Sequence, residues 1–185
     1  MTYTYCPKCS KSLELNSEQK MSCSKCNFIH YNNPLPVAAT VIPFSKYFKE
    51  NEIITRYSAP INQEPKDTKI LLVQRGVQPH KEGWCLPCGF IDSYETPILA
   101  AKREALEETG VNVNIETLLY HNNPMPGDLN QILSGYLTRP ISGIITPGDD
   151  ALDARLFRYK DIPKICFSSH QEMVEMWFSG EYKLI

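Results

Sequence analysis

The segment that most constrains the fold of this chain lies between two glycines, Gly89 and Gly110. Within it, Thr96 followed by Pro97 indicates a helix start, because a capping hydroxyl precedes a proline at the first helical position. Gly110 is typical of a helix end. The intervening residues, PILAAKREALEET, therefore predict a single helix over 97–109, preceded by a short extended stretch.

Three glutamates share one face of this predicted helix. At about 100° per residue, Glu104, Glu107 and Glu108 fall in a narrow sector. Carboxylates at these spacings repel one another unless a cation lies among them, and Mg²⁺ accepts an all-oxygen environment. The alternative for EALEE taken alone is a solvated acidic face. Most of the remaining surface is expected to face the core through Ile98, Leu99, Ala101, Ala105 and Leu106.

Two tight cysteine pairs stand near the N-terminus. Cys6 and Cys9 lie in CPKC, and Cys23 and Cys26 lie in CSKC, with thirteen residues between the pairs. Four thiolates at this spacing can surround one ion tetrahedrally, as in a structural zinc site. Two disulfides in a secreted peptide are the alternative, which the N-terminus MTYTYCPKCS does not favour. Because this segment is too short for a core of its own, we expect zinc to hold it together.

The other three cysteines carry a different prediction. Cys85 and Cys88 form a third CxxC in WCLPCGF, and Cys166 stands alone. No second pair lies nearby in the sequence, and this CxxC does not open a helix, as a redox pair is expected to do. We therefore do not expect these three to be further zinc ligands, and we expect Cys85 and Cys88 to be small packing side chains rather than part of the chemistry.

Composition and charge argue against several classes of protein. The 185 residues carry a formal net charge of −2, and 42% of them are hydrophobic. Such a balance is ordinary for a globular domain and does not favour a surface that coats nucleic acid or binds membranes. No apolar run approaches the length that spans a bilayer. We expect a cytoplasmic protein with reduced thiols.

Strands and helices interleave irregularly after the turn-rich NNPLP of residues 32–36. A polar insertion over 45–68, with a hairpin around 52–57, is expected at the surface. A final helix should begin with Ser168 or Ser169 as its cap and reach about Phe178. Strands are predicted over 37–44, 69–74, 112–121, 131–137 and 154–158. This order favours an α/β fold with a mixed sheet covered by helices.

Residues 89–111, GFIDSYETPILAAKREALEETGV, resemble the Nudix box at every fixed position. The box begins with a glycine, which is followed by five variable residues and a glutamate. Seven variable residues then lead to Arg-Glu. After this pair come an apolar residue, any residue, Glu-Glu, any residue, a glycine and an apolar residue. The preceding WCLPCGF is similar to the WxLPxGF approach of the superfamily, with cysteines at the two variable places. The paired CxxC motifs, NNPLP, and DARLF followed by DIP resemble zinc-ribbon Nudix hydrolases related to NADH and ADP-ribose pyrophosphatases.

This resemblance implies a Nudix α/β/α sandwich around a mixed sheet over 34–185, after a zinc ribbon over 1–33. It also implies hydrolysis of a nucleoside diphosphate linked to another group, with Mg²⁺ or Mn²⁺ at the pyrophosphate. The expected substrate is ADP-ribose or a related dinucleotide such as FAD or NADH, with AMP released. The expected partner is thus a small nucleotide, not a membrane or a nucleic acid, and a homodimer is one option for the assembly.

The same resemblance assigns roles within the box. Glu104 and Glu108 would be the main ligands of Mg²⁺ or Mn²⁺, with Glu107 assisting. Arg103 would orient these glutamates through ion pairs, and Glu95 would brace the loop before the helix.

Further oxygen ligands are expected from outside the helix. The backbone carbonyl of Cys88 or Gly89 could contribute one. The loop before DARLF reads PGDD, and its Asp149 and Asp150 stand where the relatives usually carry glutamates. Asp150 is therefore a candidate ligand or general base, with a solvated turn as the alternative.

Two features bear on the substrate. Where NADH pyrophosphatases carry an SQPWPFP-like motif, this chain reads HNNPMPGDLNQ, which departs from a preference for NADH. Pro126 stands fifteen positions after Val111, where ADP-ribose pyrophosphatases have a proline, although an ordinary turn proline is the alternative.

Two other function classes stay open. One is an RNA 5′-end-processing enzyme, against which the lack of a strong basic stripe around the cysteine pairs counts. The other is a Nudix-fold nucleotide sensor without catalysis, which would not need the box glutamates that this chain keeps.

Overall fold

The structure of the chain, a computed structural model, describes residues 3–60, 62–122 and 130–182. It divides into two compact units, Met1–Pro34 and Leu35–Ile185. Within the described ranges, no helix has the length and apolar character needed to cross a membrane.

The smaller unit is a three-stranded antiparallel ribbon. Its strands are β1 (Glu14–Leu15), β2 (Met21–Ser22) and β3 (Ile29–His30), in that order. Its buried interior contains Cys6, Leu13 and Cys23, with Cys9, Met21, Cys26 and Phe28 packed partly against them. So few apolar side chains cannot offset the conformational entropy of a segment this long.

The larger unit contains two sheets. The first follows the order β8 (Cys88–Phe90), β4 (Leu35–Val41), β10 (Gln131–Gly143) and β9 (Val111–Asn122). In this sheet β4 and β10 run parallel, whereas the other pairs are antiparallel. The second sheet contains β11 (Ala151–Arg158), β6 (Lys69–Arg75), β5 (Pro43–Phe44) and β7 (Trp84–Cys85), all antiparallel. The predicted α/β fold with a mixed sheet is confirmed.

One predicted strand is divided between the two sheets. The expected run over 37–44 ends at Val41, and the chain then enters the other sheet at Pro43. Proline has no N–H to donate, so it cannot continue an interior strand and here begins a new one. Ile42 and Phe44 are fully buried on either side of this break.

Helix α1 spans Pro97–Thr109, as predicted. The Thr96 hydroxyl accepts a hydrogen bond from the Leu99 N–H at 3.3 Å, and Gly110 ends the helix in the left-handed conformation with φ of 69°. Helix α2 spans Ser168–Ser179, but its predicted serine cap is wrong. Phe167 occupies the capping position, and no side chain caps the first turn.

The face of α1 that packs against the sheet agrees with the prediction only at Ala101 and Ala105, which are buried. Its three large apolar side chains, Ile98, Leu99 and Leu106, are exposed by 44% or more. Instead the small residues of the helix face the strands, and Ala100 and Ala101 contact Ala38 and Tyr136. Alanines let the helix lie close to the sheet, which also buries the glutamates described below.

The insertion over 45–68 is anchored in the core rather than lying wholly at the surface. Phe48 and Ile54 are buried, and the ring of Phe48 stacks on that of Phe44 at 4.9 Å. The Ile54 N–H donates to the Gly143 carbonyl at 2.9 Å. The predicted hairpin around 52–57 is absent, since these described residues form turns without strand pairing.

Candidate functional site

A cavity of about 840 Å³ opens beside α1 and β8 in the larger unit. Its walls include Gly89, Arg103, Glu104, Glu108, Asp149 and Asp150. The structure therefore brings together residues that the sequence distributes over more than sixty positions. Glu107 lies on the exposed side of α1. Pro126, which bears on the substrate, lies outside the described residues.

Arg103 is the centre of a network of carboxylates. Its Nε and Nη2 donate to the two oxygens of Glu95 at 3.0 and 2.9 Å. Its Nη1 donates to Glu104 at 2.6 Å and to Glu107 at 2.9 Å, and Nη2 also donates to the Phe90 carbonyl at 3.0 Å. The bonds to Glu95, Glu104 and Glu107 hold the pKa of the Arg103 guanidinium above its usual range. A single planar cation thus orients three carboxylates.

Glu95 closes the loop between β8 and α1. Its carboxylate accepts a hydrogen bond from the Asp92 N–H at 3.2 Å, and its own N–H donates to the Asp92 carbonyl at 3.1 Å. The hydrogen bond from Arg103 lowers the pKa of the Glu95 carboxyl. The loop is therefore fixed to the helix through an ionised side chain.

Gly89 lacks a side chain at a position where none would fit. A Cβ at this residue would overlap the carboxylate of Glu104, which lies directly against the strand backbone. Glu104 itself is only 7% exposed. Burial raises the pKa of its carboxyl, and Glu107 and Asp149 add to this, while Arg103 opposes it.

Glu108 is the most deeply buried carboxylate of α1, with 3% of its surface exposed. It accepts a hydrogen bond from the Cys88 N–H at 2.9 Å. Burial raises its pKa to about 8, and the nearby charges of Glu104 and Asp150 add to the rise, although the Cys88 N–H opposes it. Without a cation, clustered carboxylates such as these resist ionisation. A hard divalent cation would compensate their negative charge, so the cluster is suited to bind one.

The Asp149–Asp150 turn is held by its backbone at the end of α1. The Gly148 N–H donates to the Glu108 carbonyl at 3.2 Å, and the Gly76 N–H donates to the Asp150 carbonyl at 2.6 Å. A Cβ at Gly76 would crowd that same carbonyl, so glycine is needed for this close approach. The backbone thus fixes the turn and leaves both carboxylates free to line the cavity.

Several cavity residues were missed by the sequence analysis. The Arg75 guanidinium lies 5.2 Å from the centre of the Phe167 ring, and its Nε donates to the Pro79 carbonyl at 2.9 Å. Phe167 also contacts the rings of His80 and His170 edge-on, at 5.2 and 5.1 Å. In the sequence, only Arg75 could have been noticed, as a charged residue at the end of the buried strand KILLVQR. The rings reach the cavity through contacts between distant parts of the chain, which no local pattern indicates.

The four ribbon cysteines form a compact group. Their Sγ atoms all lie within 4.8 Å of one another, with Cys6 to Cys26 and Cys9 to Cys23 each at 3.5 Å. A tetrahedral zinc ion with bonds of about 2.3 Å would separate its sulfurs by roughly 3.8 Å. A disulfide bond would need about 2.05 Å. These sulfurs fit zinc.

Glu108 should make the stability of the protein depend on pH when Mg²⁺ is absent. Its folded-state pKa of about 8 lies above the ordinary 4.5, so its contribution is full below pH 4.5 and is lost as the pH rises through 8. We expect Tm to fall across this window, by about 2–4 °C per kcal/mol lost. Added Mg²⁺ should therefore raise Tm more at pH 8 than at pH 6.

Thermal denaturation of protein dialysed free of Mg²⁺ would measure this effect. Glu108→Gln is the control, because its amide does not titrate and its profile should be flatter. An Mg²⁺ effect of equal size at both pH values would contradict the prediction.

Both the sequence and the fold are similar to those of known proteins. The family model described as NUDIX domain matches residues 55–177. An ADP-ribose pyrophosphatase of Methanocaldococcus jannaschii is 34% identical over 120 residues, covering 62% of this chain and 70% of that protein. A NUDIX hydrolase structure from Nitrosomonas europaea has a TM-score of 0.74 at 24% identity, covering 96% of this chain and 91% of that chain.

A crystal structure of an ADP-ribose pyrophosphatase from Streptococcus suis shares the fold at lower similarity. Its TM-score is 0.59 at 18% identity, covering 82% of this chain and 94% of that chain. The residues matched by the family model include α1, the loop closed by Glu95, and the Asp149–Asp150 turn. Because that match takes in more than half of the chain together with the carboxylate cavity, the chain belongs to the Nudix family and is a Nudix hydrolase.

Proposed function

We propose that this chain is a Mg²⁺- or Mn²⁺-dependent pyrophosphohydrolase that cleaves ADP-ribose or a related dinucleotide and releases AMP. The observation that carries the proposal is the pair of buried carboxylates, Glu104 and Glu108, in one cavity with Asp149 and Asp150. The similarity to the M. jannaschii ADP-ribose pyrophosphatase supports this substrate class.

In this proposal Glu104 and Glu108 hold the divalent ions, and Glu107 assists from the exposed side of α1. A bound ion neutralises the diphosphate and makes its water a stronger nucleophile. Arg103 keeps Glu104 and Glu107 in place, and Gly89 leaves the room that the Glu104 carboxylate occupies. The carbonyl of Cys88 or Gly89 is a further candidate oxygen ligand.

The reaction breaks one bond of the diphosphate link. Water adds to one phosphorus, and the bridging oxygen leaves with the other phosphate, so ADP-ribose gives AMP and ribose 5-phosphate. The water must lose a proton, and a carboxylate of the cavity is the proposed acceptor. The ring of Phe167, beside Arg75, offers the same cavity an aromatic surface for a base or ribose.

The substrate prediction is tested with one panel of nucleotides at fixed Mg²⁺. We expect ADP-ribose to be hydrolysed fastest, with FAD or NADH next, and AMP to appear as a product by chromatography. Glu108→Gln on the same panel controls for contaminating hydrolases. Nucleoside triphosphates cleaved far faster than these compounds would overturn the assignment.

The two alternative classes give different outcomes in the same experiment. An RNA 5′-end-processing enzyme would act on 5′-capped or triphosphorylated RNA and bind it in a salt-dependent manner. A sensor would bind ADP-ribose without turnover. From the ordinary charge balance of the chain, we propose a cytoplasmic enzyme of small nucleotides, with structural zinc at the four ribbon cysteines.

Asp150 is proposed as an additional metal ligand or as the general base. Its charge raises the pKa of Glu108, which indicates that the two carboxylates are close. We expect Asp150→Asn to reduce kcat by about 10²-fold or more, as the loss of an acid–base group typically does. The fold should survive, because the carbonyl rather than the side chain of Asp150 accepts the bond from Gly76.

Steady-state kinetics would measure this loss, with Asp149→Asn as the matched control on the same turn. If both variants keep nearly full activity while Glu108→Gln loses it, the base belongs to the box helix, and Glu104 is then the first candidate.

A further inference from the structure

A second group of sulfur and nitrogen ligands lies outside the ribbon. Cys85 at the end of β7, Cys88 at the start of β8 and His170 in the first turn of α2 have ligand atoms within 4.8 Å of one another. No local spacing indicates this group, because His170 stands 82 residues after Cys88. Packing alone, the role expected for Cys85 and Cys88 from the sequence, is the alternative that metal analysis tests.

We propose that Cys85, Cys88 and His170 bind a thiophilic divalent metal ion, with zinc as the first candidate, at a site distinct from the ribbon cysteines and from the glutamates of α1. Two thiolates and an imidazole select zinc over Mg²⁺, which requires oxygen ligands. Two cysteines and one histidine with an open fourth position are a known zinc ligand set.

The orientation of His170 supports this assignment. Its Nδ1 accepts a hydrogen bond from the Leu86 N–H at 3.3 Å, so the lone pair of Nδ1 is directed at the backbone between the two cysteines. A metal ion at Nδ1 would replace this long bond, and the metal–nitrogen bond would have to offset the partner that the buried Leu86 N–H loses. Burial lowers the pKa of His170 to about 4, which keeps the imidazole neutral, as a metal ligand must be.

The turn that carries the two cysteines is held in place before any ion binds. Cys85 is fully buried and pairs with Val73 of β6, and the Pro87 carbonyl accepts a hydrogen bond from the Thr40 N–H at 3.0 Å. A site of this kind loses little conformational entropy on binding a metal ion.

The fourth coordination position can be filled in two ways. Cys88 and His170 both line the cavity, so a water molecule could reach the ion from that side. The thiol of Cys166 is the other candidate for a closed site, because its interaction with Cys85 raises the pKa of the Cys166 thiol. In either case the ion would lie in the wall of the cavity, next to the backbone N–H that Cys88 donates to Glu108.

Metal content of the full chain tests the proposal. Protein kept in reductant is saturated with Zn²⁺, desalted and analysed by mass spectrometry of the elements. We expect about two tightly held zinc ions per chain in the wild type, one at the ribbon cysteines and one at Cys85, Cys88 and His170. Cys88→Ser and His170→Gln should each hold one, and Cys23→Ser should also hold one, because it loses only the ribbon ion.

Cobalt provides an independent readout of the ligands. In Cys23→Ser, bound Co²⁺ should give a thiolate-to-cobalt charge-transfer band. The added Cys88→Ser change should remove this band, while the circular dichroism spectrum stays the same as that of Cys23→Ser alone. One zinc per chain in both the wild type and Cys88→Ser would overturn the proposal. So would cobalt binding to Cys23→Ser without this band, or a Cys85–Cys88 disulfide that persists in reductant and blocks metal.

Discussion

Glu108→Gln should reduce kcat for ADP-ribose by about 10³-fold or more, because a lost metal ligand removes several kcal/mol of transition-state stabilisation and each 1.4 kcal/mol is tenfold in rate. The amide has the shape of the carboxyl and can still accept the hydrogen bond from the Cys88 N–H. The loss should therefore be chemical rather than structural. Steady-state kinetics over a range of Mg²⁺ concentrations would measure it.

Glu107→Gln is the matched control for this experiment, since the same change is made one position earlier in the helix. Glu107 is exposed and is paired only with Arg103 among the contacts described, so its loss should be clearly smaller. Glu108→Gln with more than about a tenth of the wild-type rate would remove Glu108 from the proposed metal ligands.

Cys23→Ser should abolish the structure of the ribbon. Structural zinc stabilises comparable small domains by about 10–16 kcal/mol, and the ribbon interior holds little besides its cysteines, Leu13, Met21 and Phe28. We expect the variant to hold about one zinc ion fewer and to be cut rapidly by protease within residues 3–34. Elemental analysis and limited proteolysis would measure the two effects.

Ser24→Ala is the control for the ribbon, because this exposed residue sits beside Cys23 and is not a candidate ligand. It should keep its zinc and resist protease like the wild type. Hydrolysis by Cys23→Ser should fall only indirectly, through stability. Unchanged zinc content in Cys23→Ser would contradict the assignment of these four cysteines.

Local sequence signals located the elements of this fold well, but not the way they pack. The bounds of α1 followed from Thr96, Pro97 and Gly110, because capping and termination depend on neighbouring residues alone. The buried face of α1 was predicted only in part. Ala101 and Ala105 are buried as expected, but hydrophobic patterning also assigns Leu106 to the core and Glu108 to the polar face. The structure has the reverse, and such conflicts between pattern and packing are expected at functional sites.

The residues of the candidate site likewise divide into those that the sequence identified and those that only the structure revealed. The glutamates, Arg103, Glu95 and Gly89 lie within one continuous motif, so a resemblance could identify them together. Arg75 ends β6, whereas Phe167 and His170 lie at the start of α2, and only the fold brings them to the cavity. No spacing rule connects residues that meet through β6 and α2, which is why the sequence did not single them out.

The Arg103 guanidinium has a mechanical consequence for the site. It donates to the Phe90 carbonyl and to Glu95, which precede the helix, and to Glu104 and Glu107 on the helix, so it ties the two segments together. It therefore acts with the packing of Ala100 and Ala101 to limit rotation of α1 about its own axis, and with it the direction in which the buried glutamates point. A lysine, whose ammonium is a single point of charge, cannot make these contacts together, so even that charge-conserving change would loosen the arrangement of the carboxylates.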